Sequence, residues 1–121
     1  MNKDGIIMHQ SMNVASNAKM IEVLKAEFVG EAADVIRATL SPSGRTELID
    51  TLSGTVLLAY VLARRCGISY AELDTDILKK AEAGIEDEHV LEVDYGDLSL
   101  LKKHFESGNT RGFGQDKKRR I

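Results

Sequence analysis

The residues best suited to chemistry lie in two short stretches, "LKAEFVGEAADVI" at 24–36 and "TELID" at 46–50. The first carries Glu27, Glu31 and Asp34. Spacings of i, i+4 and i+7 set all three on one stripe of a helix. The second carries Glu47 and Asp50 on one face of the next helix. If the two helices pack antiparallel across the short "SPSGR" loop, these carboxylates converge. Such a cluster repels itself unless cations neutralise it or carboxyl pKa values rise. Oxygen-only ligands suit Mg²⁺, with Mn²⁺ as the alternative. A plainer reading accounts for the same residues. Acids in a first turn complement the helix macrodipole, Thr46 can serve as an N-cap, and glutamates four apart are common on solvated faces. Spacing alone leaves both readings open.

The elements that must position these acids read as helices. The single proline, Pro42, divides two helical stretches. Strong helix formers run from Ser16 or Asn17, either of them an N-cap candidate, to about Leu40. At about 100° per residue, Ile21, Leu24, Phe28, Ala32 and Val35 share an inner arc, and the acidic stripe borders it with Glu31 nearest. The second helix is expected from Thr46 to about Cys66, with Gly67 as its stop. Leu48, Ile49, Leu52, Val56, Leu57, Leu58, Val61 and Leu62 lie all round it, so it belongs at the centre of an assembly. So short a chain cannot wrap such a helix, and a homo-oligomer is expected, each subunit covering what the other leaves bare. A third helix opens at "SYAE", with Ser69 and Glu72 as a capping box, and ends at Gly84. A fourth covers about Asp97 to Glu106. The stretch "IEDEHVLEVDYG" between them reads equally as helix or extended chain. No alternating strand pattern is present, and the fold class is all-α.

Length and composition bound the rest. The 121 residues make one domain by size, with 43% hydrophobic residues. Residues 1–15 read as a flexible lead, 16–107 as the helical domain, and 108–121 as a disordered basic tail. The formal net charge is −3, and the four basic residues and one acid of "DKKRRI" contribute +3, so the body carries −6. An acidic body argues against nucleic-acid binding. No run of eighteen apolar residues appears, so no membrane span is expected, and "MNKDGIIMHQSMN" does not read as a signal peptide. The lone Cys66 fits a reducing cytoplasm and reads as a buried structural cysteine.

Taken together, "LKAEFVGEAADVI", the short loop, "TELIDTLSGTVLLAYVLARRCGIS" and "LKKAEAG" resemble the MazG-like all-α nucleoside triphosphate pyrophosphohydrolases over residues 19–85. The resemblance implies hydrolysis of a nucleoside triphosphate to monophosphate and pyrophosphate, serving nucleotide-pool control. It also implies magnesium held by acids of a Glu-Glu-x-x-Glu and a Glu-x-x-Asp motif, in dimers or tetramers of helical bundles. The second motif is intact as Glu47 and Asp50. Aligned on "GE", the first falls on residues 27–31, keeping Glu27 and Glu31 but placing Phe28 where the family has its second glutamate. On this resemblance Glu31, Glu47 and Asp50 hold metal, Asp34 or Glu27 compensates for Phe28, and Glu27 handles the attacking water. Lys79 and Lys80 match the region that holds phosphates, although a solvated face explains lysines there as well. The departure at Phe28 leaves a second expectation, a non-catalytic MazG-like oligomer that binds a nucleotide or a partner protein.

His89 stands among Glu86, Asp87, Glu88, Glu92 and Asp94. With Glu86 and Glu92 it has the composition of a transition-metal site, but a solvated acidic face is the expectation. Tyr60 and Tyr70 read as packing or interface residues.

Overall fold

A computed structural model describes residues 3–42 and 44–110. Its helices are α1 (Lys3–Thr39), α2 (Gly44–Arg65), α3 (Tyr70–Glu86), α4 (Val90–Tyr95) and α5 (Asp97–Thr110). Among the described residues there is no strand, and the fold is all-α. Within the segment expected to form one helical domain, the chain divides into two compact units, the first ending at Tyr70 and the second starting at Ala71.

In the first unit α1 starts well ahead of Ser16, so most of the segment read as a flexible lead is helical. The physical reason is cooperativity: extending a helix backwards adds one bond per residue, whereas a fresh start pays for nucleation. No proline interrupts residues 3–15. Asn17, read as a cap, instead reaches α2. Its Nδ2 donates to the Arg65 carbonyl at 3.0 Å, and its Oδ1 accepts from Arg65 Nη1 at 3.2 Å. That pairing satisfies one of the carbonyls left open at a helix C-terminus.

α1 and α2 pack antiparallel. The residues of α1 turned toward α2 include Ile21, Leu24, Phe28, Glu31, Val35 and Ala38, of which Leu24 and Ala38 are buried. Their alternating steps of three and four form the seam of a helix pair. Ala32, expected on the inner arc, is exposed, because a seam between two helices repeats every 3.5 residues and so selects Glu31 in its place. α2 contributes the buried Thr51 and Ala63, with Gly54, Thr55, Leu58 and Leu62 half-buried between them.

The helix start expected at Thr46 falls at Gly44, and Thr46 lies within the first turn. The stop at Gly67 holds. Gly67 has φ +86°, its N–H donates to the Arg64 carbonyl at 3.0 Å, and the Ile68 N–H donates to Ala63 at 2.9 Å. This is a Schellman closure, which favours glycine at the left-handed position. Cys66, expected to be buried, is exposed, because this closure turns the chain outward at the helix end. Arg64 lies over the Tyr70 ring at 5.7 Å, and Tyr60 meets that ring edge-on at 5.9 Å.

Much of α2 remains uncovered. Ile49, Leu52, Val56 and Leu57 are between 46% and 61% exposed. By length and composition alone, this helix is long and apolar enough to cross a bilayer. Interrupting threonines, serine and glycine leave it without an unbroken run of eighteen apolar residues.

In the second unit α3 begins directly after Ser69, as expected, and continues two residues past Gly84. The ambiguous stretch after it is mostly helical. Glu88 adopts φ +55°, and the His89 N–H donates to the Gly84 carbonyl at 2.9 Å. His89 then caps α4, its Nδ1 accepting from the Leu91 N–H at 3.1 Å. Gly96, in the left-handed region, ends α4. α5 runs to Thr110, past the expected end at Glu106. Residues 111–121 of the expected disordered basic tail lie outside the described residues.

Candidate functional site

Antiparallel packing brings the two acidic stretches face to face. Asp34, Arg37, Ala38 and Ser41 from the end of α1, with Glu47 and Thr51 from the start of α2, line one cleft of about 410 Å³. Deeper along the pair, the Glu31 side chain lies against Gly54. A Cβ added to that glycine would come within 2.9 Å of Glu31 Cδ and 3.3 Å of its Cγ, and closer still to Oε1. Asp50 stands one turn before Gly54 on α2, and Glu27 one turn before Glu31 on α1.

The electrostatics of this face are unbalanced. Asp34 pairs with Arg37 of its own helix at 2.5 Å. The side chains of Glu27, Glu31, Glu47 and Asp50 have no ion pair and no hydrogen bond to another described residue. Glu27, Glu47 and Asp50 are exposed, and carboxylates that no cationic side chain neutralises are open to a cation. Among the described residues no three of His, Cys, Asp and Glu stand together as a ready-made metal cage. Magnesium does not require one. It dehydrates reluctantly, keeps several waters, and is held through one or two carboxylates together with substrate phosphates. An oxygen-only donor set on two facing helices fits that chemistry.

Phe28 is half-buried on the α1 seam between Leu24 and Glu31, where it packs and cannot ligate. Of the two residues expected to compensate for Phe28, Asp34 lines the cleft with Glu47, and Glu27 is exposed. Lys79 and Lys80 belong to the second unit. Lys80 pairs with Asp76, and Lys79 lines a shallow groove with Glu72, Thr75 and Asp76. A hydrogen bond from Lys80, then its charge and that of Lys79, hold the Asp76 carboxyl below its ordinary value.

The cluster around His89 resolves into helix caps. Glu92 accepts from the Ser99 hydroxyl and, at 2.9 Å, from the Ser99 N–H. These bonds, with one from the Leu98 N–H, hold its carboxyl below the ordinary value. Sequence reasoning passed over Thr51 as a contributor to the α1–α2 face, whereas on the helical wheel the face begun by Glu47 and Asp50 already continues through Gly54. A glycine inside a helix also calls for a packing reason.

The arrangement defines a class: an all-α protein whose first helix pair carries facing carboxylates that no basic side chain neutralises, apart from the Asp34–Arg37 pair. Within that class, the chain belongs to the MazG-like family, whose model matches residues 14–98. The match spans both acidic stretches, Lys79, Lys80 and the start of α5, beginning ahead of residue 19 and reaching into "YGDLSLLKKHF". No curated protein and no solved structure matches the chain.

Proposed function

We propose that the α1–α2 face binds the triphosphate of a nucleoside triphosphate together with Mg²⁺, and that the protein hydrolyses it to monophosphate and pyrophosphate in the cytoplasm. The observation that carries this reading is the set of unneutralised carboxylates Glu31, Glu47 and Asp50 on facing helices of a MazG-like chain. Bound there, Mg²⁺ would offset the charge of the phosphate oxygens and polarise the α–β bridging bond. Glu31, Glu47, Asp50 and Asp34 are the residues to hold it, and Mn²⁺ has the same preference for oxygen. Glu27, one turn along the stripe and open to water, orients the attacking water and accepts its proton. The water oxygen bonds to the α-phosphorus, the bond to the bridging oxygen breaks, and pyrophosphate leaves. Lys79 and Lys80 are the candidates to hold phosphate oxygens. The bare apolar faces of α2 support the homo-oligomer, in which a second subunit covers Ile49, Leu52, Val56 and Leu57.

Phe28 favours a second reading. A half-buried aromatic ring replaces a carboxylate of the family's first motif, which suits a non-catalytic oligomer that binds a nucleotide or a partner protein without turnover. Calorimetric titration with Mn²⁺ tests the cation site that the first reading requires. Wild-type protein should bind and Asp50→Asn should not, with helicity equal in both. Undiminished binding by Asp50→Asn would remove this residue from the site.

A further inference from the structure

We infer that Gly54 is a positioning residue for Glu31: the missing Cβ in the middle of α2 is the seat of the Glu31 carboxylate. This inference rests on the proposed cation site. The three atoms nearest to a Cβ built at Gly54 are Oε1, Cδ and Cγ of Glu31, with no backbone atom of α1 among them. The clearance is therefore filled first by one side chain, that of Glu31. At Gly84 a Cβ would clash with the Leu98 methyl at 2.5 Å, so the room left there is filled by an apolar side chain and not by a carboxylate.

Two further features point the same way. Glu31 occupies a seam position of α1, where the neighbouring seam residues are Phe28 and Val35. A carboxylate held there needs room for a cation or water, because no described side chain bonds to it. Glycine also lowers the helix propensity of α2, so the position carries a cost that the clearance explains. With alanine at 54, the flexible end of Glu31 has to swing out of the seam. The fold keeps its helices, and the face loses the carboxylate from its working place.

The test compares Mn²⁺ affinity and helicity of the full chain in four forms: wild type, Gly54→Ala, Glu31→Ala and the double variant. The expected result is a loss of at least about tenfold in affinity for Gly54→Ala, on the scale of disturbed supporting contacts at metal sites, with helicity retained. The double variant should bind no more weakly than Glu31→Ala alone. Wild-type affinity in Gly54→Ala overturns the inference. So does an equal further loss in the Glu31→Ala background, or unfolding by Gly54→Ala in both backgrounds, because the glycine would then serve the backbone. Unfolding only where Glu31 is present supports it.

If wild-type protein takes up no Mn²⁺, the proposed cation site fails, and the carboxyl carbon resonance of Glu31, assigned by its loss in Glu31→Gln, decides separately on Gly54. A shift of that resonance in Gly54→Ala upholds the positioning role, and an unchanged resonance overturns it.

Discussion

The two units treat their acids in opposite ways. In α3–α5, the carboxylates that reach another helix find partners. Glu82 pairs with Lys102 at 3.2 Å, and Glu92 takes two hydrogen bonds from Ser99. In α1–α2, Glu31 lies against Gly54 and Glu47 lines the cleft, and neither has a described partner. Acids that hold helices together are satisfied within the fold. Glu47, like Glu27 and Asp50, is exposed to water, and Glu31 alone of these acids is half-buried on the seam. The difference separates acids that tie helices together from acids that no described side chain ties.

The largest effect expected on stability comes from Phe28. Phe28→Glu puts a charge into the α1 seam and should lower stability by about 1–3 kcal/mol, the range for a polar group buried without full compensation. No gain in turnover should accompany it. Chemical denaturation and an activity assay check this together, and restored or increased turnover would show instead that the natural site lacks a ligand.

Acid should act on the second unit. Bonds from Ser99 hold the Glu92 carboxyl below its ordinary value, and those from Lys80 do the same for Asp76. Both contributions are complete above the ordinary carboxylate range and disappear as pH falls through the lowered values. Below about pH 4, where carboxyl groups ordinarily take up protons, amide exchange should quicken first around α4 and the start of α5. Glu92→Gln should remove most of that pH dependence; an unchanged acid profile would break the contrast between the units.

Glu47→Gln sharpens the same contrast. In protein without metal it should change stability by no more than about 0.5 kcal/mol, as expected of a side chain with no partner to lose. A clear loss in thermal unfolding would mean that Glu47 is structural. A helix-end substitution closes the series. Glu88 holds φ +55°, a region where side chains crowd the backbone, so Glu88→Gly should gain roughly 0.5–1 kcal/mol in a melting experiment.

Legibility in the sequence followed the physical origin of each feature. Helix class, the Gly67 stop and the start of α3 were readable because periodicity and terminal residues are local signals. The early start of α1 was not, since cap-forming side chains at Ser16 and Asn17 look the same whether they end a helix or bond across to another. The seam was misread at one position. A single-helix wheel placed Ala32 inside, whereas packing against α2 selects Glu31. Cys66 looked buried because cysteine often is, and the Schellman turn that exposes it depends on three-dimensional closure. For the site, spacing set the acids on one stripe of each helix and left their convergence conditional on antiparallel packing, and the seat at Gly54 is a cross-helix relation that no single helix displays.

The central claim is that the unneutralised acids of α1 and α2 form a metal-dependent hydrolytic site. Its most direct test is pyrophosphate release from a panel of ribo- and deoxynucleoside triphosphates, with Mg²⁺ or Mn²⁺, comparing wild type with Asp50→Asn. The account predicts release by wild type that falls at least about a hundredfold in Asp50→Asn, the scale of losing an electrostatic contributor to catalysis. Absence of release across the panel, with Mn²⁺ binding intact, would contradict the enzyme and leave the non-catalytic reading in its place.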